Sequence, residues 1–71
     1  MLNIRYFRQK YSLTQAQLAQ IMGVSLDTIS RYETGKREPK ASDLCKMAEI
    51  FDCTLDELVR PISDVASLNE I

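Results

Sequence analysis

The side chains of this 71-residue chain that could do chemistry are two cysteines, Cys45 and Cys53, and nine lysines and arginines; histidine is absent. A Ser-His or Cys-His nucleophile needs an imidazole to take its proton, and a zinc site ordinarily needs four Cys or His ligands, so neither assembles here. No glycine-rich phosphate loop or convergent carboxylate pair stands out. This inventory argues against an enzyme and calls for no metal and no cofactor. The two thiols read as small buried hydrophobes rather than as a disulfide. That leaves the cations, whose placement matters more than the net charge of −1. Residues 1–40 hold seven of them (Arg5, Arg8, Lys10, Arg31, Lys36, Arg37, Lys40) against three acids (Asp27, Glu33, Glu38). Residues 41–71 hold Lys46 and Arg60 against seven acids. A basic first half suits a polyphosphate, and an acidic second half suits water or a protein partner.

The elements that must position these cations are short helices. Apolar residues make up 45% of the chain and charged residues 27%, the balance of a single globular domain, and no apolar run approaches the ~18 residues of a membrane span. The start MLNIRYFRQKY lacks the apolar core of a secretory signal, so a cytoplasmic location is expected. One helix-start signature recurs three times: an apolar residue, a hydroxyl N-cap, and a second apolar residue at the fourth helical position. Leu13-Thr14 leads to Leu18, with Gln17 placed to close a capping box; Val24-Ser25 leads to Ile29; Cys53-Thr54 leads to Leu58, with Glu57 closing the box. Between the starts, apolar residues keep helical spacing: Ile4, Phe7, Tyr11; Leu18, Ile21, Met22; Ile29, Tyr32; Leu44, Met47, Ala48, Phe51. Gly23 and Gly35 fall where helices should stop in a left-handed turn, and Pro39 and Pro61 bound the later segments. The spacing predicts helices near 2–11, 14–22, 25–33, 41–51 and 54–60, an all-α five-helix bundle. Residues 1–60 form the domain, and 61–71 a tail that is either frayed or engaged by a partner.

Residues 14–33 then make two short helices around a tight turn. Ala19 is small where the helices must approach, Gly23 can adopt a positive φ, and Ile29 turns one face of the second helix inward. Such a corner pushes the second helix outward, where it can enter a DNA major groove ~12 Å wide. Here LTQAQLAQIMGVSLDTISRYETGKREP resembles the signature of the Cro and repressor (XRE-type) transcriptional regulators. That signature runs approximately L-[ST]-Q-x-x-L-A-x-x-x-G-V-[ST]-x-x-x-I-[SN]-x-[WY]-E-x-G-[KR]-x-x-P. With FR upstream and DLCKMAEIFDCTLDEL downstream, the resemblance covers residues 2–59.

The resemblance implies a bundle of the lambda-repressor-like DNA-binding type and a sequence-specific regulator of transcription, expected to act as a repressor. Thr14, Gln15 and Gln17 would stand at the amino end of helix 2, with Gln15 on a phosphate. Ser25, Leu26, Asp27, Thr28 and Arg31 would face the groove; Arg31 can donate two bonds to guanine, Thr28 can meet a base or a thymine methyl, and Leu26 makes apolar contact only. Lys36 and Arg37 would clamp the backbone, with Thr34 and Lys40 weaker candidates. The same residues have plainer roles: Gln17 and Ser25 as caps, the loop cations as solvated charges, and Asp27 as a first-turn acid favourable to the helix dipole. Arg8 and Glu33 match positions where the family pairs helix 1 with the end of helix 3. A homodimer on two-fold symmetric DNA is expected, with Leu55, Val59 and Ile62 as its apolar surface; core packing is the plainer reading of the three, and for Leu55 and Val59 an equal one. The alternative is an antitoxin or anti-regulator on the same fold, holding a protein partner through its acidic second half.

Overall fold

The computed structural model describes residues 2–59, and among these five α-helices follow one another with no strand: α1 (Ile4–Lys10), α2 (Gln15–Met22), α3 (Leu26–Thr34), α4 (Ala41–Ile50) and α5 (Leu55–Val59). Each expected helix forms, with ends shifted by a residue or two because capping and turn residues are not themselves helical. The expected last residue of the fifth helix, Arg60, and the proposed tail with Ile62 lie outside the described residues.

The three helix starts show why the pattern recurs. The Thr14 hydroxyl accepts the Gln17 amide at 3.0 Å while the Thr14 amide donates to Gln17 Oε1 at 2.8 Å. Thr54 and Glu57 repeat this box at 3.1 and 3.0 Å. Ser25 accepts from the Thr28 amide at 3.1 Å, the one backbone bond of a simple N-cap, and the two hydroxyls lie 2.8 Å apart. The preceding helix ends are equally alike. One residue turns left-handed, and the amide after it reaches back to a carbonyl five residues earlier: Leu13 to Arg8 (2.9 Å), Val24 to Ala19 (3.0 Å), Lys36 to Arg31 (2.9 Å) and Cys53 to Ala48 (3.0 Å). So Leu13, Val24 and Cys53 each close one helix and sit one residue before the cap of the next, packed against the core. Ser12-Leu13-Thr14, Gly23-Val24-Ser25 and Asp52-Cys53-Thr54 are one joint used three times.

The left-handed residue is glycine at Gly23 (φ 71°) and Gly35 (φ 77°) but serine at Ser12 (φ 56°) and aspartate at Asp52 (φ 48°). A Cβ in this region costs roughly 1–2 kcal/mol. Gly23→Ala meets no neighbouring atom within 4 Å, so its expected loss is this backbone strain alone. Ser12→Gly and Asp52→Gly are expected to gain up to ~1 kcal/mol each, after the extra freedom glycine gives the unfolded chain. Opposite shifts of the urea midpoint for the two kinds of change would be the result.

Helices of five to ten residues do not persist alone in water, so a shared core must hold them. It consists of Ile4, Phe7, Leu18, Ala19, Met22, Ile29, Tyr32, Met47, Phe51 and Leu58. The Phe51 ring, fully buried on the turn after α4, stacks on Phe7 (5.8 Å between centroids) and Tyr11 (6.4 Å). Two polar ties fix the outer elements. Asn3, at the N-cap position of α1, ties that helix to α5: its amide donates to Leu58 O at 2.8 Å and its side chain to Glu57 O at 2.9 Å. Arg8, on α1, donates through Nε to Glu33 Oε2 at 2.8 Å and through Nη1 to Leu13 O at 2.8 Å.

Three residues expected inside are exposed. Ile21 is 52% exposed and Tyr11 43%, because the partner helices reach only part of each apolar stripe. Cys45 is exposed on α4, whereas Cys53 is half-buried; burial, then the Glu57 carboxylate, pushes its thiol above the ordinary value. Both thiols are free, so only Cys53 serves as the small hydrophobe expected of the pair.

Candidate nucleic-acid interface

The α2–α3 corner is built as its small residues require. Ala19 is 4% exposed, Ile29 is fully buried, and Tyr32 follows Ile29 inward by one helical turn. With Ile29 and Tyr32 in the core, residues to either side of that stripe must face out. Ser25, Leu26, Asp27 and Arg31 are exposed and Thr28 is half-buried. Leu26, at 52%, is a large apolar side chain held in water by nothing but its place in the helix.

The polar groups of this face are already organised. Ser25 and Thr28 share their hydroxyl bond, so Thr28 Oγ1 is held against the helix start. Asp27 Oδ2 accepts from Arg31 Nε at 2.7 Å, an exposed ion pair across one turn. The acid stands amino-terminal to the base, the favourable order on a helix, and in the first turn it also meets the positive end of the dipole. Beside the dipole and base-contact roles its type suggests, Asp27 thus has a third as the partner of Arg31, signalled in the sequence by their spacing of four.

At the amino end of α2, the capping box uses the amides of Thr14 and Gln17 and leaves those of Gln15 and Ala16 at the helix mouth. The Gln15 side chain donates through Nε2 to Glu33 Oε1 at 3.2 Å. Glu33 thus gathers Arg8 and Gln15, joining α1 and α2 to the last turn of α3. The loop after Gly35 folds back on α3: the amides of Lys36 and Arg37 both donate to Arg31 O, at 2.9 and 3.3 Å. Lys36 and Arg37 are exposed, as are Thr34 in the last turn of α3 and Lys40 at the start of α4. Thr34 Oγ1 is turned to Ser30 O at 3.1 Å.

Leu55 (47%) and Val59 (52%) stand out from α5, while Leu58 between them is fully buried. The structure therefore separates the residues for which core packing and exposure were both open: Leu55 and Val59 lie outside the core.

Residues 4–58 match the helix-turn-helix family. An "Uncharacterized HTH-type transcriptional regulator" of Archaeoglobus fulgidus is 40% identical over 55 residues, 78% of this chain and 79% of that protein. The "Cryptic phage CTXphi transcriptional repressor RstR" of Vibrio cholerae is 37% identical over 51 residues, 72% of this chain and 46% of the repressor. The "HTH-type transcriptional activator BcrR" of Enterococcus faecalis is 38% identical over 56 residues, 79% of this chain and 28% of the activator. The chain spans less than half the length of the named repressor and activator.

Proposed function

The chain belongs to the helix-turn-helix family of XRE type, and from that membership we propose that it is a sequence-specific regulator of transcription that lays α3 in the major groove of double-stranded DNA. The observation that carries this reading is the division of α3: Ile29 and Tyr32 are locked in the core while Leu26, Asp27 and Arg31 face water. In this arrangement Arg31 meets guanine, Thr28 and Leu26 meet neighbouring bases or thymine methyls, and Ser25 sets the start of the helix. The Gln15 and Ala16 amides, with Thr14 and Gln17 beside them, approach a phosphate at the amino end of α2. Lys36 and Arg37 supply the cations that hold the backbone. Together they place the DNA surface in the basic half of the chain.

One module makes few phosphate contacts, so two copies act together, joined through the exposed Leu55 and Val59 of α5 and reading half-sites about 34–36 Å apart. Repression by occupying an operator requires only these surfaces, and no catalysis or cofactor. Such a protein works in the cytoplasm; among the described residues no helix is long and apolar enough to cross a membrane. The exposed α5 residues and the acids around them would equally suit an antitoxin or anti-regulator held by a protein partner.

Selection of bound sequences from a random DNA pool tests the proposal. A two-fold symmetric motif is expected, with binding that weakens steeply as salt rises. Arg31→Ala should relax one position of the motif, and Lys36→Ala should weaken all sequences about equally while lowering the salt slope by ~1. Salt-insensitive binding would sink the DNA reading. A stable heteromer that shifts no DNA would replace it with the protein-partner one.

A further inference from the structure

We propose that Asp27 is a positioning residue for Arg31, and that the pair rather than the arginine alone sets a preference for guanine; the proposal rests on α3 entering the major groove. The geometry that points there is a single bond, Arg31 Nε to Asp27 Oδ2 at 2.7 Å, on side chains that remain 55% and 71% exposed. A guanidinium has two edges that can pair with planar acceptors: the side edge, Nε with one Nη, and the end edge, the two Nη groups. Asp27 occupies Nε and so takes the side edge out of use. The end edge remains, and among the described residues Nε is the Arg31 donor that makes a side-chain hydrogen bond, with none from either Nη. Two parallel N–H donors match the O6 and N7 acceptors of guanine.

The pairing does three things for recognition. It restrains a long side chain that otherwise wanders among rotamers before DNA arrives, so less freedom is lost on binding. It stands a carboxylate beside the arginine, which discourages Arg31 from turning aside to a phosphate. And it neutralises Asp27, whose unpaired charge would oppose entry into the groove. Stability is not the explanation, since exposed ion pairs across one helical turn contribute little to it.

The test measures base preference by pool selection and by titration of single sites, using the full chain as wild type, Asp27→Ala, Asp27→Asn, Arg31→Ala and the double variant. The wild type is expected to select a guanine whose preference Arg31→Ala abolishes. Asp27→Ala should lower that preference roughly five- to tenfold, as part of the discrimination of a bidentate pair is lost. It should at the same time strengthen binding to unrelated DNA, since an acid has been removed. A folding defect would weaken both, so the opposite signs mark positioning. Asp27→Asn, which keeps an acceptor for Nε, should lie between wild type and alanine. Asp27→Ala should add nothing in the Arg31→Ala background. In the free protein, the Arg31 Nε–H resonance should exchange with water faster in Asp27→Ala than in wild type.

Several results would overturn the inference while leaving the DNA-binding reading intact. One is an unchanged guanine preference in Asp27→Ala. Another is an unchanged motif in Arg31→Ala, which leaves nothing to position. A third is a switch in Asp27→Asn from cytosine to adenine at a different base pair, independent of Arg31, which would make Asp27 a direct reader. A wild-type chain that enriches no sequence would remove the proposed function and this inference together.

Discussion

Arg8→Ala is expected to cost about 3–5 kcal/mol, read as a fall in the denaturant midpoint, although Arg8 lies on α1, outside the helix proposed to enter the groove. The Arg8 and Glu33 side chains are only 12% and 6% exposed, and the guanidinium makes bonds to Glu33 and to the Leu13 carbonyl. Deleting it strands a carboxylate that sits in the last turn of α3, where the helix dipole already disfavours a negative charge. Gln15 alone would remain to hold it. Domains this small lie toward the low end of the usual ~5–15 kcal/mol of stability, so the variant should be largely unfolded near 37 °C. Replacing both partners by hydrocarbon, Arg8→Met with Glu33→Leu, should recover much of the loss, because the ion pair itself had to be desolvated. A cost under ~1 kcal/mol for Arg8→Ala would show that the pair behaves as an ordinary surface bridge.

Ile29→Ala is the second large effect, with an expected cost of about 2–5 kcal/mol against ~0.5–1.5 kcal/mol for Ile29→Val. Ile29 is fully buried, while Asp27 and Arg31, two residues to either side of it on α3, face the opposite way and are exposed. Its side chain is the wedge that sets the rotation of α3 about its own axis. Truncation leaves a cavity between α3 and the core, and any collapse into it turns the outer face away from its present direction. DNA discrimination should therefore fall in Ile29→Ala even at low temperature, where the chain remains folded, while Ile29→Val keeps both. Equilibrium denaturation and binding to the selected motif separate the two consequences. Full discrimination by a folded Ile29→Ala would show that the rotation of α3 is set elsewhere.

How much of this was legible in advance depended on range. Thr14 with Gln17, Thr54 with Glu57, and the turns at Gly23 and Gly35 could be read directly, because each depends on backbone groups within about four residues. Ser12 and Asp52 take the same left-handed turn without glycine, and only the repeated apolar-hydroxyl pair after each betrayed them. The Asp27–Arg31 pair was also within local reach, at a spacing of four, but a charge on an exposed face carries no mark of whether it is paired.

The sequence by itself determined where helices begin and end, their number, and the small residue and glycine that let α2 and α3 meet at a corner. Tertiary structure alone decided which parts of each apolar stripe are covered: Ile21 and Tyr11 remain in contact with water although their spacing resembles that of core residues, and so does Cys45 although thiols of its kind are usually buried. It also decided that Asn3 would clasp Glu57 across 54 residues and that Gln15 would turn to Glu33. Periodicity states that a helix has an inner face, but its width is set by how closely neighbours pack and at what angle. A hydrogen bond between distant residues exists only once the whole core has brought them together.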